Sequence, residues 1–464
     1  MKTVVLLIAV WGLSRNLQAQ MADFSPPTPL LGALMHNDMN EAKRLLDEGA
    51  DPNQGRFGGF SPLILAIARQ NLELVRMMAA KGANLNFRDR TGSTPLMWAA
   101  FNGTGDPKLI EELLKLGADP LVANKAGETA LTWALKRGET AASAALRKAG
   151  IHDTDSIRTA VEKALLLLQK SGAQFTRISG CFSCHHQSLP QLAYEVARTR
   201  GLAIDESAAR QRLESTIALL KAVSGQASTN RDRIPNPPIT VSYALLGLAA
   251  ENQARDETTA AMAQVLAAWQ SGDGAFYPLP PIRPPLESSE FTATALSLRA
   301  LQLYGDKPEP MLARARHWLI AAKPRTNEER AMQLLGLAWS EAPEEAVRKS
   351  ASALLAEQRK GGGWAQLAEL DPDAYATGQA LVALEKSGLA TDSLEYRRGV
   401  AFLMRTQFPD GSWLIRSRTF PVQVLKDSGF PHGKDQWISA AGTSWAAMAL
   451  SLALPVERFS VDGR

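Results

Sequence analysis

The sequence predicts an all-α protein made of two successive arrays of helical repeats. Two short markers recur at a period of about 33 residues in the first third of the chain. Amphipathic segments rich in Ala and Leu, separated by loops rich in Gly and Pro, fill the remainder. The 464 residues are 45% hydrophobic and 21% charged, with a formal net charge of +4. This composition excludes a disordered chain, and so small a charge over this length indicates no nucleic-acid partner.

The N-terminal segment has the pattern of an export signal. Lys2 precedes an apolar run over residues 4–13, and a short polar stretch ends at Ala19. An apolar run of about ten residues is too short to span a bilayer but is typical of a secretory signal peptide. The alternative is a buried N-terminal helix. We expect residues 1–19 to be removed and the mature protein to be soluble and exported, periplasmic or extracellular, without an integral membrane segment.

The first array covers residues 28–151 and consists of four units, each with two markers. The first marker, Thr-Pro-Leu or a close variant, begins at Thr28, Ser61, Thr94 and Thr129. The second, Gly-Ala-Asp or a variant, closes the units at Gly49, Gly82, Gly117 and, in a degenerate copy, Gly150. In such a unit Thr or Ser caps a helix, Pro occupies its first turn, and Gly supplies a left-handed turn after the second helix.

This spacing and these markers resemble the ankyrin repeat. Ankyrin repeats bury a face between neighbours and present a concave surface to other proteins. The resemblance therefore implies a protein-binding module with a protein partner. Trp98 and Trp133 recur at equivalent positions of two units, where they either pack in the core or form part of a contact surface.

The second array covers residues 155–455. Three of its loops share the pattern Gln-x-x-Asp/Gly-Gly-x-aromatic, over residues 270–276, 358–364 and 407–413. Helix–loop–helix units counted in this way number six, enough to close a ring. The loops resemble those of the squalene-cyclase and prenyltransferase family. The resemblance implies an (α/α)6 toroid of alternating outer and inner helices, with an apolar cavity for an isoprenoid-like small molecule.

Two carboxylates are candidates for a catalytic acid in such a toroid. Cyclases of this family that start by protonation use three acids in four positions, where this chain has Asp371-Pro372-Asp373-Ala374. Asp371 and Asp373 are therefore weak candidates. The alternative is that a carboxylate here only caps the helix that follows.

The motif with the most specific chemistry contains both cysteines of the chain. Cys181, Cys184 and His185 form Cys-x-x-Cys-His. Two thiols at this spacing can form thioethers to the vinyl groups of haem, and the next residue supplies an axial imidazole to the iron. The motif resembles the attachment site of c-type cytochromes. It therefore predicts covalent haem c, in agreement with the predicted export.

Three alternatives for the cysteine pair stay open. Cys181 and Cys184 can form a structural or redox-active disulfide, since an exported dithiol oxidises readily. They can also bind zinc together with His186. The third alternative is a buried pair without chemistry.

A closed ring also predicts where a sixth iron ligand is to be found. Its first loop, which holds His185, lies beside its last loop, residues 414–437. That loop contains His432 and no Met, so His432 is the first candidate and His186 the second. An open coordination position is the third possibility.

Three functions follow, and whether the protein is an enzyme stays open. The first is an exported c-type haem protein, active in electron transfer or sensing, with an ankyrin protein-binding module. The second is a terpene-cyclase- or prenyltransferase-like enzyme, or a binder of an apolar ligand in the toroid. The third is an interaction scaffold without haem, in which Cys181 and Cys184 form a disulfide.

Overall fold

A computed structural model describes residues 28–57, 59–101, 106–136, 138, 140–149, 154–179, 183–227, 234–280, 282–419 and 426–456. The chain divides into two compact units, Met1–Asp153 and Thr154–Arg464. In the described ranges the regular elements are helices, accompanied by two isolated β-bridges, so the predicted all-α class is confirmed. Every helix in these ranges falls short of the length and apolar character needed to cross a membrane. The predicted signal peptide lies outside them.

The helices of the first unit come in pairs. In chain order they are α1 (Pro29–Met35), α2 (Met39–Asp47), α3 (Pro62–Ala68), α4 (Leu72–Ala80), α5 (Pro95–Phe101), α6 (Lys108–Lys115), α7 (Ala130–Leu135) and α8 (Ala141–Lys148). The first helices of neighbouring pairs pack on one another, and so do the second helices, so that the pairs form a stack. Its apolar core includes Leu34, Ile67, Met97 and Leu146.

The repeat markers form the helix ends of this stack. Thr28 Oγ1 accepts the N–H of Leu31 at 3.2 Å, and Ser61 Oγ accepts that of Ile64 at 3.3 Å. Gly82 follows α4 with φ at +84°, in the region that favours glycine. The degenerate marker at Gly150 lies outside the described residues.

The second unit contains longer helices. They are α9 (Thr154–Ser179), α10 (Leu189–Arg198), α11 (Glu206–Ala227), α12 (Pro237–Ala250), α13 (Glu257–Ala267), α14 (Glu290–Tyr304), α15 (Glu309–Ala321), α16 (Asn327–Trp339), α17 (Glu344–Leu355), α18 (Ala374–Lys386), α19 (Leu394–Thr406) and α20 (Gln436–Leu452). A π-helical turn, Cys184–Ser188, runs directly into α10, and a short 3₁₀ turn, Gly433–Asp435, runs into α20.

The even-numbered helices of this unit contact one another in a closed cycle. Among the described residues, α10, α12, α14, α16, α18 and α20 each pack against the next, and α20 packs against α10. The odd-numbered helices lie outside this cycle, each against the inner helices beside it. Since an outer helix returns the chain between successive inner helices, the inner helices run in one direction. Their N-termini therefore lie at one end of the ring, here called the mouth.

The glutamine of each repeated loop holds the ring together. Its Nε2 donates both to the carbonyl of the glycine four residues later and to a carbonyl of a neighbouring outer helix. Gln270 reaches Met311 at 2.8 Å, Gln358 reaches Glu395 at 2.8 Å, and Gln407 reaches Ala160 at 2.9 Å. The last of these bonds joins the final repeated loop to α9, the first helix of the unit.

Candidate functional site

The second half of the Cys-x-x-Cys-His motif lies at the mouth of the ring. Cys181 is outside the described residues, whereas Cys184 begins the π-helical turn before α10. Ser183 starts this turn, because its Oγ accepts the N–H of His186 at 3.1 Å. Its own N–H donates to Gln187 Oε1 at 2.7 Å. The described part of the motif is therefore fixed by hydrogen bonds within residues 183–187.

Cys184 points a free thiol into a buried polar environment. It is 6% exposed, and its Sγ lies 3.5 Å from Glu287 Oε1. The other oxygen of Glu287 accepts from Arg283, at 2.9 Å from Nε and 2.5 Å from the terminal nitrogen. Burial, together with the Glu287 carboxylate, raises the pKa of the thiol well above its usual value. The sulfur is therefore uncharged at neutral pH.

The two histidines of the motif lie side by side between aromatic rings. His186 stacks on Phe175, with ring centroids 4.8 Å apart, and His185 stacks on Trp437 at 5.0 Å. Nδ1 of His185 contacts Nδ1 of His186 and lies 3.0 Å from Ser183 Oγ. Burial lowers the pKa of both rings, that of His186 to about 3. Both imidazoles are therefore neutral.

The last loop of the unit lies against the first. His186 Nε2 is 2.8 Å from Ser428 Oγ, Trp437 covers His185, and Gln174 Nε2 donates to the carbonyl of Asp427 at 3.2 Å. The adjacency that a closed ring predicts for these loops is thus present in the described residues.

His432 makes its own hydrogen bond but shares an aromatic neighbour, Phe430, with His186. Its Nε2 lies 2.8 Å from Ser412 Oγ, and its ring packs on Phe408 and Phe430. Burial lowers its pKa. Among the described ring contacts, His185 and His186 pair with each other, and neither pairs with His432.

Asp371 and Asp373 have different surroundings. Asp371 is exposed, whereas Asp373 is partly buried and caps α18. Its Oδ1 accepts the N–H of Ala376 at 2.8 Å, and its Oδ2 accepts from Gln366 Nε2 at 2.7 Å. Burial raises its pKa to about 6. With both oxygens already accepting, Asp373 has the contacts of a cap rather than those of a free acid.

Glu328 is the acid that reasoning from the sequence missed. It lies in the first turn of α16, is 5% exposed, and accepts a hydrogen bond from Thr292 Oγ1 at 2.9 Å. Burial raises its pKa to about 8, so it is protonated at neutral pH. Within the described ranges the buried hydroxyls of Tyr243 and Tyr375 have no hydrogen-bond partner. Burial, together with the nearby carboxyl of Glu328, raises the pKa of both phenols. In the sequence Glu328 looks like any acidic residue at the start of a helix.

The described residues offer no cluster of three or more His, Cys, Asp or Glu side chains that suits a metal ion. Cys181 is not among these residues.

Comparison with known proteins identifies the repeats of the first unit. Residues 30–124 match the family model of ankyrin repeats, in three copies. Protein PhlB of Serratia liquefaciens is 34% identical over 110 residues, which are 24% of this chain and 48% of PhlB. Palmitoyltransferase AKR1 of Lachancea kluyveri is 33% identical over 116 residues, 24% of this chain and 16% of that protein.

A third relative is the transient receptor potential cation channel subfamily A member 1 of Homo sapiens, 32% identical over 101 residues, 22% of this chain and 9% of the channel. The chain thus covers less than half the length of each of these relatives. The ankyrin prediction is confirmed for residues 30–124, and such repeats indicate a protein-binding module.

Proposed function

We propose that this chain is an exported c-type haem protein in which Cys181, Cys184 and His185 hold the haem at the mouth of an α/α toroid. The ankyrin repeats bind the protein partner of this haem unit. Electron transfer and sensing are the activities that fit such an arrangement. Bound there, haem would supply reversible one-electron chemistry at its iron.

The observation that carries the proposal is the state of the His185 ring. Its hydrogen bonds are made by Nδ1, and Nε2 takes none within the described residues. A histidine that would bind a metal needs this arrangement, with one nitrogen anchored by the protein and the other left for the metal. The Cys184 sulfur is uncharged and buried, as a thioether sulfur is. The described residues therefore fit the group.

The contacts of the second unit support the toroid. Its inner helices contact one another in a cycle, and Gln407 binds the carbonyl of Ala160 on the first outer helix. This is the connectivity expected of the squalene-cyclase and prenyltransferase type of ring. The loop with His185 and the loop with Ser428 lie side by side at the mouth.

For the sixth ligand we retain His432, with an open position as the alternative. Ser412 Oγ donates to Asp410 Oδ1 at 2.6 Å, so it accepts a proton from Nε2 of His432. Nδ1 of His432 then carries the lone pair that iron would need. His186 is the weaker candidate because Ser428 and His185 already occupy both of its nitrogens.

The test is expression of the full chain, with residues 1–19 intact, in a host competent for cytochrome c maturation. We expect exported protein whose haem absorbance stays with the polypeptide after denaturation, and Cys181→Ala or Cys184→Ala to remove one thioether each. His36→Ala, in the first unit, is the matched control and should leave the colour unchanged. Folded but colourless protein overturns the proposal. A mass lower by two hydrogens would then identify the disulfide alternative.

A second candidate function rests on Glu328. A protonated carboxyl near two unpartnered phenols is suited to donate a proton to an apolar, isoprenoid-like ligand inside the ring. Glu328→Gln should abolish turnover or weaken binding across a panel of polyprenyl compounds, whereas Asp371→Asn, at an exposed position, should change neither. Absence of binding and turnover by the wild-type protein removes this candidate.

A further inference from the structure

A chain of hydrogen bonds at the mouth begins at Gln436, whose amide has a fixed orientation. Gln436 Nε2 donates to the carbonyl of Gly433 at 3.0 Å, and Gln436 Oε1 accepts the backbone N–H of Ser428 at 2.7 Å. A backbone N–H only donates and a backbone carbonyl only accepts. The oxygen of the amide must therefore face Ser428.

This orientation determines where the hydroxyl proton of Ser428 goes. Ser428 Oγ is also 2.7 Å from Gln436 Oε1. Because that oxygen carries no proton, the single hydroxyl proton of Ser428 must lie between the two atoms. Ser428 Oγ is then left with lone pairs only, which accept the N–H of Phe430 at 3.3 Å and a proton from His186 Nε2 at 2.8 Å.

The proton position on His186 determines that on His185. A neutral imidazole with its proton on Nε2 has a lone pair on Nδ1. Nδ1 of His186 faces Nδ1 of His185, and two lone pairs repel each other at contact distance. Nδ1 of His185 must therefore carry a proton, shared between His186 Nδ1 and Ser183 Oγ. The lone pair of His185 is left on Nε2.

We infer that Ser428 and Gln436 are positioning residues that fix the tautomers of His186 and His185 and so present Nε2 of His185 as a ready ligand atom. That the ligand atom binds haem iron rests on the proposed function. The tautomers themselves are a property of the chain and do not depend on haem. The relay joins the last loop of the ring to the first. The tautomer of His185 in the Cys-x-x-Cys-His motif therefore depends on contact between these two loops.

The chain contains an internal control for this inference. His432 Nε2 is bound by Ser412 Oγ at 2.8 Å, and the hydroxyl of Ser412 donates to Asp410. The same reasoning assigns the proton of His432 to Nε2. Ser412 and Ser428 therefore fix two different histidines in the same way. The two groups share no hydrogen bond among the described residues, although the ring of Phe430 contacts both histidines.

The experiment is a long-range ¹H–¹⁵N correlation spectrum of the full chain, without haem, with ¹⁵N-labelled histidine at neutral pH. The chain has 6 histidines, so the rings can be assigned by single substitutions. We expect Nε2 of His185 to be unprotonated and Nε2 of His186 to be protonated. Ser428→Ala should move the His185 proton toward Nε2, and Ser428→Thr, which keeps the hydroxyl, should retain the wild-type pattern.

Ser412→Ala should alter His432 alone. Should Ser428→Ala fail to fold, the wild-type spectrum still decides, because a proton found on Nε2 of His185 overturns the inference. An unchanged His185 pattern in folded Ser428→Ala overturns it as well.

The haem-loaded protein gives a separate measurement. If the tautomer with the lone pair on Nε2 of His185 falls to about one molecule in ten, binding of the iron by His185 should weaken about tenfold. Correct tautomers in a protein that never acquires haem would contradict the proposed function and leave this inference intact.

Discussion

The two units differ in whether their buried polar side chains have hydrogen-bond partners. Among the described residues, every buried side-chain nitrogen or oxygen without a hydrogen-bond partner lies in the second unit. In the first unit the buried amide of Asn124, for example, bonds to Ser93 and to the backbone of Ala126. Unpartnered buried polar groups cost free energy, so an excess of them in one unit calls for an explanation. The second unit therefore bears more of this cost than the first in the described residues.

The polar atoms of the aromatic residues Trp98 and Trp133 in the first unit also have hydrogen-bond partners. Trp98 and Trp133 are half-buried, with ring centroids 5.2 Å apart, and both pack against the exposed Phe101. Their indole nitrogens donate to Asp89 and Glu128, each at 2.8 Å. The pair thus combines the two expectations, core packing and an accessible ring surface. The first unit thus presents aromatic side chains at its surface, whereas the second unit buries, within the described ranges, some polar side chains without hydrogen-bond partners.

The largest expected effect concerns the buried acid Glu328. Its pKa rises in the folded state from the ordinary 4.5 to about 8, so folding favours the protonated form. Between these values the unfolded chain ionises and the folded chain does not, and stability falls as the pH rises. The free energy of unfolding falls by at most about 1.4 kcal/mol for each pH unit, or by about 4 kcal/mol between pH 5 and 8. Glu328→Gln should remove this loss.

The measurement is urea unfolding of the full chain at pH 5 and pH 8, with hydrogen exchange used to assign the transition to the second unit. Asp371→Asn is the control and should keep the wild-type pH dependence. An equal loss of stability in the wild type and in Glu328→Gln would show that Glu328 is ionised in the fold and would end its role as an acid.

A methyl group added to a helical glycine should have opposite effects in the two units. A Cβ at Gly378 would lie 2.5 Å from the backbone carbon of Trp445, whereas a Cβ at Gly32 would meet nothing within 4 Å. Gly378→Ala should therefore destabilise the second unit by about 3 kcal/mol through overpacking between α18 and α20. Gly32→Ala should stabilise the first by about 0.5–1 kcal/mol.

Thermal and urea unfolding of the two variants, again with hydrogen exchange, test this pair. Equal effects in both units would contradict the tight approach of the inner helices and, with it, the closed ring.

The smallest expected difference between the two units concerns their ion pairs. Arg283 is partly exposed and pairs with the buried Glu287, so its removal leaves the carboxylate unpaired next to Cys184. Arg283→Ala should cost about 2 kcal/mol, less than a fully buried pair would. Arg76→Ala breaks the pair between the exposed Arg76 and the partly buried Glu112 of the next repeat, and should change the free energy of unfolding much less than Arg283→Ala does. A comparable loss of unfolding free energy in both variants would show that the ion pairs of the two units do not differ in strength.

Much of the fold could be predicted because repeats show themselves in the sequence. The period of the first array follows from Thr28, Ser61 and Thr94, and the glutamines of the second array mark its loops. Each of these residues acts within its own repeat or against the next, so its role recurs at a fixed spacing. The placement of His185 beside the last loop followed from the expected ring in the same way.

The candidate site could be predicted only in part. Cys184 and His185 carry a local motif, and the caps at Thr28 and Asp373 are likewise local in sequence. Glu328 carries no such signal, because its pKa depends on burial among helices that are far apart along the chain. The relay from Gln436 to His185 joins residues about 250 positions apart, and no spacing rule connects them.

The sequence by itself determined the helical class, the ankyrin repeats and the chemical types gathered in the Cys-x-x-Cys-His motif, because these depend on neighbours along the chain. The tertiary structure alone decided which acid is protonated and which nitrogen of His185 carries the lone pair. The physical reason is that desolvation and proton sharing depend on atoms brought together in space. For His185, those atoms belong to a loop at the opposite end of the second unit's sequence.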